Sequence, residues 1–248
     1  LDDAVTGKVT GPEAVLDLRL KAFSDIAQNH VTENIFSHYM YKTLPTGSHL
    51  WTFKRQLTHQ HALSCFVSAL LRLGGRTPQK IMFAKNTGRV FMLDFHPAFD
   101  SKGITEFVEP VPFRLTRNLY TFFTPFGVRG DFVAAMAAAA QAMSAPGANI
   151  ETQMMLFYRD QLMVWPWRRM SGAGPQALLG PTPADVRVMA RANVDEVMKR
   201  LPCITPNPPR MMSADHLTSV QKGVIHLVEA SINPKNLCRQ EPTAMPWL

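Results

Sequence analysis

The segment from Gly74 to His96 reads Gly-Gly-Arg-Thr-Pro-Gln-Lys-Ile-Met-Phe-Ala-Lys-Asn-Thr-Gly-Arg-Val-Phe-Met-Leu-Asp-Phe-His. Two short apolar runs, Ile81 to Phe83 and Val90 to Leu93, follow a glycine-containing turn. The four residues 85–88 between the runs are typical of a hairpin turn, because Asn and Gly tolerate a positive φ. The second run ends in Asp94. The segment therefore predicts a small β-hairpin that is closed by a strand-end carboxylate.

Helices are predicted on both sides of this hairpin, because apolar residues recur near the helical period of 3.6. The longest spans about His49 to Leu73. The apolar residues expected on its core face are Phe53, Leu57, Leu63, Phe66, Val67 and Leu70. The other predicted helices are Glu33 to Leu44, Asp131 to Met143, Ile150 to Trp165, Thr182 to Leu201 and His216 to Ala230. The predicted fold class is mainly α with a small β-hairpin, and residues 166–182 are predicted to form a loop.

Composition excludes several classes of protein. The 248 residues are 46% hydrophobic and only 18% charged, so a disordered chain is excluded. The longest apolar stretch, Phe132 to Met143, is too short for a bilayer, and no membrane partner is expected. The three cysteines, Cys65, Cys203 and Cys238, contain no Cys-x-x-Cys pair, and the histidines contain no His-Glu-x-x-His. Neither a disulfide framework nor a metal site is expected.

The positive charge is concentrated in one part of the chain. The net charge is +7, and residues 51–130 alone carry +7. Such a segment often marks a nucleic-acid or acidic partner, and a binder of this kind stays open as an alternative. The aromatic-flanked basic patches of RNA-binding modules are not visible, so direct nucleic-acid binding is not expected. Much of the charge comes from Lys54, Arg55, Arg72, Arg114 and Arg117, most of which are expected to be solvated or paired within a larger chain.

The order of helix, turn, hairpin and Asp-Phe resembles the catalytic loop of the phosphatidylinositol-3-kinase-related kinase family. In that family the loop reads Gly-Asp-Arg-His-x-x-Asn, and a metal-binding Asp follows the hairpin. Here Asp94 lies 14 positions beyond Lys80, as in the family. The end of the chain also resembles the family's FATC tail. The matching runs are Leu227 to Ala230, Asn233 to Cys238 and Pro246 to Leu248.

The resemblance implies that the catalytic residues have been lost. Phosphoryl transfer needs an Asp at the acceptor hydroxyl and oxygen ligands for Mg²⁺. The corresponding positions are Gly75 for the catalytic Asp, Thr77 for the His, Lys80 for the metal-binding Asn and His96 for the glycine of Asp-Phe-Gly, while Arg76 and Asp94 are retained. The resemblance therefore implies no enzyme activity, no catalytic residue, no cofactor and no bound metal. We expect a salt bridge from Lys80 to Asp94 or a nearby acid; the alternative is that Lys80 binds a nucleotide phosphate without Mg²⁺.

Three further runs resemble the TRRAP branch of this family: Leu50 to Thr58, Phe113 to Thr116, and Glu241 to Thr243 with the final Pro-Trp-Leu. This resemblance implies a pseudokinase scaffold in a nuclear histone-acetyltransferase coactivator complex, of the SAGA type or the MYST-acetyltransferase type. Its implied roles are transcription and chromatin regulation. Its implied partners are the other subunits of that complex and upstream helical repeats of the same polypeptide. The alternative is an active or residually active lipid-kinase-like Ser/Thr protein kinase.

The resemblance also implies the domain organisation. Residues 1–201 are the expected large, C-terminal lobe of a protein-kinase-like fold, without its small lobe. Residues 202–215 are an expected linker, and residues 216–248 are the expected FATC tail. Because this tail ends in apolar side chains, we expect it to fold back and dock on the lobe. The expected docking residues are Leu237, Trp247 and Leu248.

Overall fold

A computed structural model describes residues 12–106, 109–123, 128–145, 147–169, 182–204 and 214–248. The helices are α1 Pro12–Asp25, α2 Ile35–Thr43, α3 Gly47–Leu71, α4 Arg117–Phe122, α5 Val133–Ser144, α6 Ile150–Arg169, α7 Pro183–Ile204, α8 Ala214–Ile232 and α9 Pro234–Leu237. The strands are β1 Ile81–Phe83 and β2 Val90–Met92. The predicted fold class, mainly helical with one small hairpin, is confirmed for these residues. No helix within them is long and apolar enough to cross a membrane.

Helix α3 runs through the centre of the core. The hydroxyl of Thr46 accepts a hydrogen bond from the amide of His49 and caps the first turn, so the helix begins two residues before the predicted start. Arg72 then adopts a left-handed conformation with φ of 52° and ends the helix before Gly74. The side chains of Phe53 and Leu57 are both 1% exposed.

The prediction that Leu63 lies on the core face of α3 is wrong. Leu63 is 45% exposed, whereas its neighbour Ala62 is fully buried. Successive helical residues are about 100° apart, so a stripe that passes through Ala62 and Phe66 leaves Leu63 at its solvent edge. Val67 is only partly buried for the same reason.

The hairpin lies on α3. Strands β1 and β2 pair antiparallel with Met82 opposite Phe91, as the turn chemistry predicted. Gly88 has a φ of +75°, and a Cβ there would lie 2.6 Å from the main-chain oxygen of Phe53. The amide of Val90 donates to Oε1 of Gln60, 2.7 Å away. A glycine at the turn therefore permits the close approach that fixes the hairpin against the helix.

The helices on the C-terminal side extend further than predicted. Helix α6 continues to Arg169, into the predicted loop, and α7 continues to Ile204 while α8 begins at Ala214, so both ends of the predicted linker are helical. Prolines at 166 and 202 suggested earlier ends. Each of these prolines lies in the last turn of its helix, and the backbone there keeps helical geometry. The remaining parts of the predicted loop and linker, 170–181 and 205–213, lie outside the described residues.

Candidate functional site

The loop after α3 is shaped by Gly75. Gly75 has a φ of +66°, a conformation that favours glycine. Its carbonyl accepts from the amide of Thr77 at 2.9 Å, and the carbonyl of Thr77 accepts from the amide of Lys80 at 3.0 Å. These turns direct Lys80 back along the loop. A Cβ placed on Gly75 would lie 3.4 Å from Nζ of Lys80.

Lys80 and Asp94 meet at the open end of the hairpin. The amide of Leu93 donates to the carbonyl of Lys80 at 2.9 Å, which places residues 80 and 94 side by side. Nζ of Lys80 lies 2.9 Å from Oδ2 of Asp94, so the expected ion pair is present. The hydrogen bond and the charge of Lys80 lower the pKa of Asp94 below its ordinary value. The side chains are 35% and 58% exposed, so water screens the pair.

Arg76 ties the loop to the strand end. The residue is 3% exposed, and its guanidinium donates to the carbonyls of Gly74 at 3.1 Å, of Leu93 at 3.0 Å and of Asp94. Its main-chain amide donates to Oε1 of Glu109 at 3.0 Å. Burial lowers the pKa of Arg76, and the carboxylates of Glu109 and Asp94 oppose that shift. The retained arginine therefore has a structural role, with every contact made to the chain itself.

His96 faces a different element. Its Nδ1 lies 3.0 Å from Oε1 of Gln161 on α6 and donates to it, and its amide donates to the carbonyl of Asp94 at 2.8 Å. Asp94 itself has a φ of 51°, a conformation that Asp tolerates better than most residues. The structure thus gathers Gly75, Arg76, Lys80 and Asp94 at one place and links His96 to α6.

The donor set at this place does not suit a divalent cation. Mg²⁺ prefers several oxygen ligands in octahedral geometry. Here Asp94 is the one carboxylate between β2 and Phe99, and an ammonium already occupies its Oδ2. Among the residues that the structure describes, no group of three His, Cys, Asp or Glu side chains can hold a metal. We therefore derive no phosphoryl-transfer step from this arrangement.

A second set of contacts holds the end of the chain on the lobe. Leu237 is 4% exposed and is buried with Phe23 and Ala27, at the end of α1, and with Val111. Trp247 packs against the same cluster. The main-chain oxygen of Leu248 accepts from the amide of Arg117 at 2.6 Å. All three residues expected to dock the tail therefore lie against other parts of the chain.

Two arginines bind the carbonyls of this tail. Nη2 of Arg114 donates to the main-chain oxygen of Met245 at 2.5 Å, and Nη1 of Arg117 donates to that of Trp247 at 3.3 Å. Arg114 is 2% exposed, and burial lowers its pKa to about 10. Of the two expected states, solvated or paired within the chain, Arg114 shows the second, with a carbonyl of the tail as its partner. Sequence reasoning also missed Glu109 and Gln161, which no local motif marks.

The helical lobe, the hairpin and the strand-end aspartate together define the large lobe of a kinase-like fold. The solved structure of the FAT and kinase domain of CtTel1 has the same fold, with a TM-score of 0.64 over 94% of this chain and 15% of that chain, at 19% identity. The sequence pattern of the phosphatidylinositol 3- and 4-kinase family matches residues 9–167. The chain belongs to that family.

Three relatives show which members of the family this sequence resembles. The transformation/transcription domain-associated protein of Homo sapiens is 26% identical over 251 residues, covering 100% of this chain and 6% of that protein. The SAGA complex/NuA4 acetyltransferase complex subunit TRA1 of Saccharomyces cerevisiae is 23% identical, over 93% of this chain and 6% of the subunit. Protein kinase rad3 of Schizosaccharomyces pombe is 25% identical, over 82% and 8%. The chain thus spans less than a tenth of each of these relatives.

Proposed function

We propose that this chain is a catalytically inactive kinase-like segment that serves as a structural scaffold in a nuclear histone-acetyltransferase coactivator complex, of the SAGA type or the MYST-acetyltransferase type. In this proposal its partners are other subunits of the complex and upstream helical repeats of the same polypeptide. The similarity to a SAGA and NuA4 subunit over nearly the whole chain supports the type of complex. The residues at positions 75, 80 and 94 support the proposed absence of kinase activity.

The single observation that carries the inactivity is the position of Nζ of Lys80. It lies 2.9 Å from Oδ2 of Asp94 and 3.4 Å from the point where a side chain at position 75 would begin. One ammonium therefore stands both beside the missing base and at the carboxylate that would bind a metal. Two positive charges at this distance repel each other, so the ammonium opposes Mg²⁺ binding. The loss of a positioned base removes a further factor of about 10²–10⁴ in rate.

A second candidate function is an active Ser/Thr kinase, which the similarity to protein kinase rad3 favours. An assay of phosphate transfer from Mg·ATP to a peptide, with the purified full-length protein, distinguishes the inactive scaffold from the active kinase. We expect no turnover from the wild type. Turnover that Asp94→Ala abolishes, and that the exposed control Asp131→Ala retains, would establish the kinase.

The scaffold itself is tested by the composition of the assembly. We expect the full-length protein that lacks the residues of this chain to co-purify without one or more acetyltransferase-complex subunits. The single variant Asp131→Ala, which changes one exposed side chain, should leave that composition unchanged. An intact assembly after deletion of the chain would contradict the scaffold proposal, whatever the kinase assay shows.

A further inference from the structure

A cavity of about 370 Å³ opens beside the degenerate loop. It lies between α2, α3, the hairpin and the end of the tail. Pro78 and Ile81, on either side of Lys80, form part of its wall. Its other apolar lining residues include Ile35, Tyr39, Leu57, Phe83, Leu119 and Leu248. A volume of this size is at the lower end of the range of ligand pockets and holds one or two bulky apolar side chains.

The mouth of this cavity combines apolar exposure with positive charge. Ile35 is 57% exposed and Tyr39 is 46% exposed. Nζ of Lys85, from the hairpin turn, lies 4.9 Å from the centre of the Tyr39 ring. Lys42 is also exposed and follows Tyr39 by three positions on α2, so both project from one face of that helix. The mouth therefore carries the Tyr39 ring with the Lys85 ammonium over it, and a second exposed lysine follows on the same face of α2.

The described residues place no carboxylate on these two lysines. Residues 34–93 contain eight Lys or Arg and no Asp or Glu. Within the described ranges, no carboxylate oxygen lies within salt-bridge distance of Lys42 or Lys85. A partner that carries carboxylates would therefore complement the charge of this mouth.

We propose that this mouth is the docking site of an acidic peptide segment of a partner subunit, which inserts a bulky apolar side chain into the cavity and places carboxylates on Lys42 and Lys85. This inference rests on the proposed scaffold function and specifies a surface for it. An apolar anchor within a polar rim is the usual anatomy of a strong protein contact. The apolar walls favour a peptide over a nucleic acid, whose phosphates would use the lysines and leave the cavity unfilled.

The test uses the intact assembly purified with the full-length protein. A photo-crosslinking amino acid placed at Ile35, which is exposed and so leaves the core unchanged, reports what lies at the mouth. We expect it to capture a peptide of another subunit that carries several Asp or Glu around a Leu, Ile, Phe, Trp or Met. Capture of a second copy of this chain, of nucleic acid, of a segment without acidic residues, or of nothing would overturn the inference.

Charge reversal provides a matched comparison. The double variant Lys42→Glu/Lys85→Glu should lower the yield of the crosslink at least tenfold, while Lys235→Glu, which changes an exposed lysine on α9, should leave it unchanged. All three sites are exposed, so we expect the same midpoint of thermal unfolding for each variant. An equal yield in both variants would overturn the inference. The scaffold function would still stand if deletion of the whole chain released subunits from the assembly.

Discussion

The guanidinium of Arg114 and the main-chain oxygen of Met245 are joined by a hydrogen bond of 2.5 Å across 131 positions of the chain. The arginine is nearly fully buried, and Met245 is partly buried. A hydrogen bond to a charged group in such surroundings is stronger than one between neutral groups. The attachment of the tail therefore depends on an arginine that belongs to the lobe.

Loss of this arginine should release the tail. For Arg114→Met, which keeps the approximate length of the side chain, we expect the amides of Met245, Trp247 and Leu248 to exchange with deuterium at least tenfold faster, because the Met245 carbonyl loses its donor. Hydrogen exchange read by mass spectrometry measures this. Arg187→Met, on the exposed face of α7, is the control and should leave tail exchange unchanged. Equal tail exchange in the two variants would show that Arg114 does not hold the tail.

Leu237 should contribute more to stability than an exposed leucine. Truncation of a buried leucine removes apolar contacts and leaves a cavity, so Leu237→Ala should lower the free energy of unfolding by about 2–5 kcal/mol. Leu63→Ala, at a position that is 45% exposed, should lower it by less than about 1 kcal/mol. Denaturant unfolding of both variants measures the difference. Equal losses would be inconsistent with a docked tail.

The stability of the chain should fall in mild acid because of His61. This residue is 1% exposed, its Nε2 lies 3.5 Å from Sγ of Cys65, and burial lowers its pKa to about 4. Between the ordinary pKa of about 6.5 and about 4, the unfolded chain binds a proton that the folded chain does not. The stabilising difference is complete above pH 6.5 and is lost as the pH falls toward 4.

By proton linkage, the lowered pKa of His61 reduces the free energy of unfolding by about 2 kcal/mol between pH 7 and pH 5. Unfolding free energies measured at both pH values should show that loss in the wild type and in His59→Gln. The loss should be absent in His61→Gln, which cannot take up a proton. A wild-type stability that does not change over this range would refute the assignment.

Gly88→Ala should loosen the hairpin. A Cβ at this position lies 2.6 Å from the Phe53 carbonyl oxygen, in a conformation with φ of +75° that L-residues rarely adopt. We expect a loss of at least about 1–3 kcal/mol in the free energy of unfolding, from strain and from separation of the hairpin from α3. Gly47→Ala has open space around its Cβ and lies in the first turn of α3, so it should be neutral or slightly stabilising. Equal effects would contradict the packing described here.

Removal of the Lys80 ammonium should alter the acidity of Asp94. The hydrogen bond from Lys80 is the largest cause of the lowered pKa of Asp94. In Lys80→Ala we therefore expect that pKa to return toward its ordinary value, and in Lys85→Ala we expect no change. Carboxyl chemical shifts followed through an acid titration report the pKa directly. A pKa that stays low in Lys80→Ala would assign the effect to Arg76 or His96.

Local chemistry explains why the hairpin was predictable from the sequence. Its turn needs a positive φ at Gly88, and its open end places residues 80 and 94 beside each other, while the ion pair itself was expected from the family resemblance. The side chains that contact Arg76 and His96 could not be predicted from local sequence. Glu109 lies 33 positions from Arg76, and Gln161 lies 65 positions from His96, so only tertiary docking brings them together.

The burial of Arg114 was missed for a related reason. A charged residue is usually exposed, and the sequence around it gives no sign of a partner. Its acceptor is a main-chain carbonyl, which every residue possesses and which therefore leaves no mark in the sequence. Helices α6 and α7 also continue beyond the ends that their prolines predict, and α6 reaches Arg169.

The ammonium beside Asp94 is covalently attached, and it cannot be chelated, diluted or exchanged as a dissolved ion can. The positive charge at the open end of the hairpin is therefore fixed by the sequence and does not depend on the concentration of any cation in solution.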